Sequence, residues 1–363
     1  MSEQQQPAAS PATSEDREAW LKTGSKLPAT EEPDAAKIRD ESDDKDEANP
    51  FSQYYGMLLH QQNMLQDHVR TGTYERAMLS NPTDFRDKVV LDVGTGSGIL
   101  AFFAIKAGAR KVYAVELSNM AECARELVAA NGLSDRITVI KGKMEEVQLP
   151  EQVDVVVSEP MGFFLVHERM LETFVTAGKK WRRPAPSFKM FPSIGTMFMS
   201  PFSDDSIYRE QMAKVAFWQQ QDFYGVNLSR PTGHFDFPFH FVVERTAIMH
   251  GLGCWFTVDF LGSDARVVLS TAPHDAGTHW YQCRLLLSTP VAVNASQSVS
   301  GNLHFVANKK FSYDIDLEVR LDGTSIVSRN HIRLHDQMYH YLYSPGAASG
   351  AATDGMQQQN SSY

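Results

Sequence analysis

The chain has 363 residues, 42% of them hydrophobic, which is enough for two domains and too apolar for disorder throughout. Forty-four acidic against 34 basic residues give a net charge of -10, which disfavours a protein that tracks nucleic-acid phosphates, so no direct nucleic-acid binding is expected. Thirteen of those acids and six of those bases fall in the first fifty positions, so the remainder is nearly neutral at -3.

Residues 1–50 combine Gln, Pro, Ala, Ser and Thr with an acidic run from Asp40 to Glu47, and read as a solvated tail. The N-terminus has neither the basic nor the apolar region of a secretory signal, and the apolar stretch Ile99 to Ile105 is far short of the roughly 20 residues a membrane span needs. A soluble chain with no membrane partner is expected. From Phe51 onward Tyr54, Leu58, Met64, Leu65, Val69 and Tyr74 recur at helical spacing until Asn81-Pro82 breaks the pattern. Lys88 to Val93, a glycine cluster, the helical ILAFFAIKAGA and Lys111 to Glu116 form a βαβ unit. A helix (Ala121 to Asn131) and strands (Ile137 to Lys141, Val153 to Ser158) extend it, as in a doubly wound, mostly parallel sheet.

After Phe191-Pro192 the segments shorten and alternate: Thr196 to Met199, Phe237 to Val243, Trp255 to Leu261, Val267 to Ser270, Trp280 to Leu287, Leu303 to Ala307 and Ile315 to Arg320. That is the pattern of antiparallel β. Ser206 to Trp218 interrupts it at helical spacing, and residues 344–363 read as a second low-complexity tail. Cys123, Cys254 and Cys283 lie far apart without a CxxC spacing, so neither a disulfide framework nor a structural zinc is indicated, and a reducing compartment fits.

Two constellations carry chemistry. The first is VVLDVGTGSG, a strand running straight into Gly94, Gly96 and Gly98 and then a helix. Glycines let the backbone turn sharply and approach a ligand that a Cβ would exclude. The spacing is GxGxG after an Asp, as at S-adenosylmethionine sites, rather than the GxGxxG that faces a pyrophosphate. Glu116 ends the next strand, where an acid accepts hydrogen bonds from ribose hydroxyls. The second is Glu159 and Glu168 in the loop SEPMGFFLVHERMLE. Glu159 follows the carboxyl end of a parallel strand, beside the cofactor crevice. Two carboxylates in an apolar, aromatic loop repel each other and are costly to desolvate unless a cation lies between them. A planar guanidinium meets that need.

SEPMGFFLVHERMLE resembles the double-glutamate loop of the protein arginine methyltransferases, and Thr278-His279-Trp280 resembles that family's second hallmark. Together with HQQNMLQDHVRTGTY, FWQQQDFYGVNL and LSTAPHDAGTHWYQ, these stretches are similar to the coactivator-associated branch, with a plant or algal flavour, over roughly residues 51 to 320. The resemblance implies a Rossmann-like S-adenosylmethionine-dependent methyltransferase domain over 51–191, then an antiparallel β-barrel over 192–343 bearing a helical dimerisation arm at 203–228. It implies asymmetric dimethylation of arginine in histone tails and Arg/Gly-rich or RNA-binding proteins, a homodimer, and residence in nucleus and cytoplasm. No metal is required, because a sulfonium is already activated.

By the same resemblance Arg70 partners the methionine carboxylate, Gly94, Gly96 and Gly98 form the cofactor loop, Glu116 holds the ribose and Glu145 lies near the adenine. Tyr55 and Met64 join the cofactor side, with Met64 and Met161 as walls that leave room for an asymmetric product. Glu159 and Glu168 clamp the guanidinium, Asp67 and His279 pair across domains, and Met161, His167 and Trp280 line the substrate. The proton leaving the guanidinium goes to Glu168 or to the Asp67-His279 pair. The chain also departs from the family: Ser52 replaces an aromatic ring, His167 replaces Asn, and roughly 50 residues of barrel are absent after GVNLS. A catalytically weak relative acting as a binding partner is therefore the alternative to an active enzyme. A nicotinamide oxidoreductase is disfavoured by the glycine spacing and the paired glutamates.

Overall fold

The computed structural model describes residues 50–184, 187–206, 208–209 and 234–335. The expected tails, and the expected arm beyond its first residues, lie outside the described residues. The helical stretch after Phe51 is divided into α1 (Pro50–Tyr55), α2 (Leu58–Gln66) and α3 (His68–Leu79), followed by the short α4 (Pro82–Phe85). Asp67 makes the division between α2 and α3. Its carboxylate accepts the Arg70 N–H at 2.9 Å and caps α3 as a new helix.

Five parallel strands follow, β1 (Val89–Val93), β2 (Lys111–Glu116), β3 (Ile137–Lys141), β4 (Val155–Ser158) and β5 (Lys189–Phe191), in the order β3-β2-β1-β4-β5. Helices α5 (Ile99–Lys106), α6 (Met120–Ala130) and α7 (Met170–Trp181) cover the sheet. β1 is buried along its whole length, with Val90 facing one core and Leu91 and Val93 the other. The strand order reverses between β1 and β4, so the loops after these two strands open one crevice. β5 was not expected from the sequence, because three residues, KMF, give no readable period.

The second domain is antiparallel: β6 (Ile194–Phe202), β7 (His234–Val242), β8 (Ala247–Leu261), β9 (Arg266–Ser270), β10 (Cys283–Val293), β11 (Ser298–Asn308), β12 (Ser312–Leu321) and β13 (Val327–Arg333). They form two sheets, β10-β8-β6 with β9 on β8, and β13-β12-β11-β7, around a shared core that includes Leu252, Leu285, Leu303, Phe305, Ile315 and Leu317. This is the barrel-like half that the alternating segments indicate. Three details differ from the sequence reading. Trp280 precedes β10 instead of starting it. β13 was not anticipated, because its buried positions include the polar Ser328 as well as Ile332. Cys254 and Cys283, distant in sequence, are directly opposed on β8 and β10 as buried free thiols.

The domains share a core in which Tyr74 and Met78 of α3 pack with Phe256, Val258 and Phe260 of β8, the Tyr74 and Phe260 rings meeting edge to face at 4.8 Å. A polar clamp fixes the same junction. Asn81, fully buried, accepts the N–H groups of Asp264 and Ala265 at 2.9 and 2.7 Å and donates to Ala77 O at 2.8 Å. Beside it Asp84 accepts from the N–H and hydroxyl of Ser263, both at 2.7 Å. Asn81→Ala strands two amide donors between the domains and is expected to lower unfolding free energy by about 2–4 kcal/mol. Denaturant unfolding checks this, and a change below about 0.5 kcal/mol would show that water replaces the side chain at no cost.

Candidate active site

The glycine turn after β1 is built as its spacing requires. Gly94, Gly96 and Gly98 have φ of +69°, +55° and +95°, the left-handed region that favours glycine. The N–H groups of Gly94 and Thr95 bond to Val115 O of β2, which folds the turn over the strand ends. Glu116 closes it from below: its carboxylate accepts Gly96 N–H and Ser118 N–H, each at 2.8 Å. Asp92 is fully buried one step before the turn, where burial, with the Glu116 charge adding, pushes its carboxyl up to about 7. At the far side of the cleft, Glu145 accepts the Thr173 hydroxyl of α7 at 2.8 Å.

Arg70 and Glu159 bring α3 and the end of β4 together. The Arg70 Nε donates to Glu159 Oε2 at 3.1 Å, with side chains only 7% and 10% exposed. Burial raises the Glu159 carboxyl while Arg70 opposes the rise. Glu168 returns across the loop to the same region, where Tyr55 Oη lies 2.8 Å from both its carboxylate oxygens. Burial lifts the Glu168 carboxyl to about 8, with the Glu159 charge contributing and the Tyr55 hydrogen bond opposing. The Glu159 charge thus opposes the ionisation of Glu168, while Arg70 is bonded to Glu159.

Asp67 ties the second domain to this pocket. Its Oδ2 receives the His279 N–H at 2.9 Å and lies 2.7 Å from His279 Nδ1, while Oδ1 caps α3. Burial acts upward on this carboxyl, but the bonds from His279 and the Arg70 N–H outweigh it and hold the group at about 2. The Trp280 indole N–H donates to Met161 O at 2.9 Å, and Tyr74 Oη donates to Ser158 O at 2.8 Å.

Hydrogen bonds and charge thus link Glu159, Glu168, Asp67, His279, Arg70, Tyr55 and Met161, with the Met64 carbonyl 3.4 Å from Arg70 Nη1, while Gly94, Gly96, Gly98 and Glu116 are joined in the glycine turn and Glu145 is held by Thr173. Three placements differ from expectation. Tyr55, expected on the cofactor, directs its hydroxyl to Glu168. Trp280 and His167, expected on the substrate, are each 2% exposed, Trp280 engaged with Met161 O and His167 with the Ser312 hydroxyl. Gln61 was not singled out in the sequence. Its carboxamide bridges Tyr55 O at 3.0 Å and the Ser97 N–H at 3.2 Å, so it spans from α1 to the glycine turn. The only signal was a glutamine one turn before Met64 and Leu65 on the apolar side of α2.

A sequence profile for the arginine methyltransferase oligomerization subdomain matches residues 230–325, and one for ribosomal protein L11 methyltransferase (PrmA) matches residues 77–167. The chain is 46% identical over 340 residues to the histone-arginine methyltransferase CARMER of Culex quinquefasciatus, covering 82% of this chain and 56% of that protein. To CARMER of Drosophila persimilis it is 42% identical over 353 residues, covering 86% and 66%. The chain thus spans between about half and two thirds of the length of these curated relatives. Both are metazoan, which corrects the expected plant or algal flavour. Among solved structures, the Trypanosoma brucei PRMT1 enzyme-prozyme heterotetrameric complex with AdoHcy superposes with a TM-score of 0.66 and 31% identity, covering 77% of this chain and 98% of that one. Arabidopsis thaliana protein arginine methyltransferase 10 follows with a TM-score of 0.64 and 29% identity over 77% and 98%. With identity of this level over nearly the whole of a solved chain, and with both glutamates and the His279 pairing in place, the chain belongs to the protein arginine methyltransferase family.

Proposed function

We propose that this chain transfers methyl groups from S-adenosylmethionine to guanidino nitrogens of protein-bound arginine, with asymmetric dimethylarginine as the product of a type I reaction. The observation that carries the reading is the pair Glu159 and Glu168, two buried carboxyls raised by burial, of which, among the described residues, only Glu159 is matched by a cation. A guanidinium supplies the missing charge and five N–H donors in a planar fork. S-adenosylmethionine supplies, when bound, an electrophilic methyl group on a sulfonium.

The residues present fit that cofactor. Glu116 at the end of β2, the buried Arg70 and the Glu145–Thr173 contact support this reading. A Cβ at Gly94 would meet the flexible end of Met170 and one at Gly96 the bonded carboxamide of Gln61, so both positions call for glycine. Arg70 would hold the carboxylate of the cofactor, Glu116 the ribose and Glu145 the adenine side. The chain's own contribution is positioning and electrostatics: Glu159 and Glu168 orient the guanidinium and concentrate its positive charge away from the attacking nitrogen. Two acceptors stand ready for the departing proton, Glu168 itself and the Asp67-His279 pair. Met64 and Met161 leave space on one side of the guanidinium, which favours a second methyl on the same nitrogen.

Histone tails and Arg/Gly-rich or RNA-binding proteins are the proposed substrates, in nucleus and cytoplasm, in keeping with relatives named histone-arginine methyltransferase. Self-association through residues 203–228 is proposed as well. Tyr54, Met57, Leu58 and Leu59 leave an apolar patch on α1, α2 and the turn between them, 44% to 68% exposed, that a second copy would cover.

The test follows labelled methyl transfer to histone-tail and Arg/Gly-rich peptides, with products typed as monomethyl, symmetric or asymmetric dimethyl. Glu159→Gln and Glu168→Gln keep shape and remove charge, and each is expected to lower kcat by about 100-fold or more. Transfer to lysine, or full activity in either variant, would overturn the reading. Glu116→Ala is expected to weaken binding of S-adenosylhomocysteine by roughly 10- to 100-fold, from lost hydrogen bonds to a charged group. Unchanged affinity by titration calorimetry would remove Glu116 from the cofactor site.

A further inference from the structure

The glutamate loop is held from outside its own domain. Between β11 and β12 the chain turns through Asn308–Ser312, with Asn308 Oδ1 accepting the N–H groups of Lys310 at 3.0 Å and Ser312 at 3.2 Å. Ser312, fully buried, presents its Oγ 2.8 Å from Nδ1 of His167, the residue immediately before Glu168. Phe51 of α1 stands edge-on to both His167 and Phe311, with ring centroids at 6.0 and 6.2 Å. On the other side of Glu168, Arg169 donates twice to Glu172, at 2.8 and 3.0 Å, and reaches Asn308 O at 3.4 Å. Both neighbours of Glu168 are therefore tied to one turn of the second domain.

The loop between those ties has little freedom. Phe164, Leu165, Glu168 and Arg169 have φ of +48°, +68°, +72° and +56°, a region that non-glycine residues avoid and adopt where their surroundings hold them. Gly162 allows the closure, since a Cβ there would lie 2.1 Å from His167 O. Burial, with His335 adding, pushes the His167 imidazole down to about 4, so at neutral pH it meets Ser312 as an uncharged hydrogen-bonding partner.

We propose that the β11–β12 turn is a positioning element for Glu168, in which Ser312, acting through His167, sets the direction from which the Glu168 carboxylate meets the substrate guanidinium. The inference rests on the arginine-transfer reading above and adds to it residues that touch neither cofactor nor substrate. A loop held this way keeps its carboxyl group aimed before substrate arrives, and small misplacements of a catalytic group are expensive in rate.

The test uses the full chain with Ser312→Ala, His167→Phe, their double variant, and His167→Asn, whose carboxamide offers the same kind of partner to the hydroxyl. Each of the first two is expected to lower kcat by about 10- to 100-fold, and the double variant no further than the worse single, because one bond is lost in all three. Affinity for S-adenosylhomocysteine stays at the wild-type value, the thermal midpoint falls only by the few degrees that one lost buried hydrogen bond costs, and His167→Asn recovers part of the loss seen with His167→Phe. Hydrogen exchange is read in parallel: amides of residues 163–169 exchange faster in Ser312→Ala while those of 94–98 do not. Unchanged kcat, additive losses, or a loss matched in cofactor affinity would overturn the positioning role. If the wild-type chain transfers nothing to arginine, the functional reading falls, and unchanged exchange over 163–169 would then overturn the hold on the loop by itself.

Discussion

Arg70 and Glu159 meet at 3.1 Å with almost no access to water, and the arrangement around them follows from keeping that pair intact next to a second acid. Removing one partner of a buried pair costs about 3–5 kcal/mol, because the survivor is left charged in a poor solvent. Arg70 is supplied by α3, whose first turn is set by Asp67, and Asp67 in turn holds His279 from the second domain. One helix N-terminus thus connects the end of β4, the cofactor crevice and the barrel. Glu168, without an arginine partner among the described residues, is held by Tyr55 instead.

The same economy explains why the two domains form one site. A shared apolar core, the Asn81 and Asp84 clamp, the Asp67-His279 pair and the Ser312-His167 contact all lie along the domain junction. The parallel sheet supplies the crevice and the first glutamate, and the second domain supplies the supports that orient what lines it. Relative motion of the domains would disturb the glutamates before it disturbed the glycine turn, whose bonds run to β2, α5, Glu116 and Gln61 within the first domain.

Much of this was legible in the sequence wherever local chemistry decides structure. The alternation of apolar runs and helices gave the parallel sheet, and the glycine spacing gave the turn with its three left-handed residues. The cost of two acids in an apolar loop pointed to a cation between them. The resemblance to a known family, rather than any residue pattern, supplied Asp67 and His279, since their pairing spans 212 positions. What stayed hidden is of the same long-range kind: Gln61 bridging to the glycine turn, Ser312 holding His167, and Cys254 facing Cys283 across β8 and β10. His167 and Trp280 show the complementary limit: next to Glu168 and His279 they read as substrate contacts, whereas in the fold both side chains are buried against protein partners.

In the proposed function, Glu168 waits as a neutral acid and becomes a carboxylate when a guanidinium enters. Its carboxyl stands at about 8 in the free chain, so at pH 7 it carries its proton, and pairing with a cation favours the charged form. Titration calorimetry of an arginine peptide, with an S-adenosylhomocysteine-saturated chain in buffers of different ionisation enthalpy, measures the protons exchanged on binding. The account predicts release of about one proton per site at pH 7, falling toward zero above about pH 9 and lost in Glu168→Gln. Binding without proton release at pH 7, or release that persists in Glu168→Gln, would contradict it.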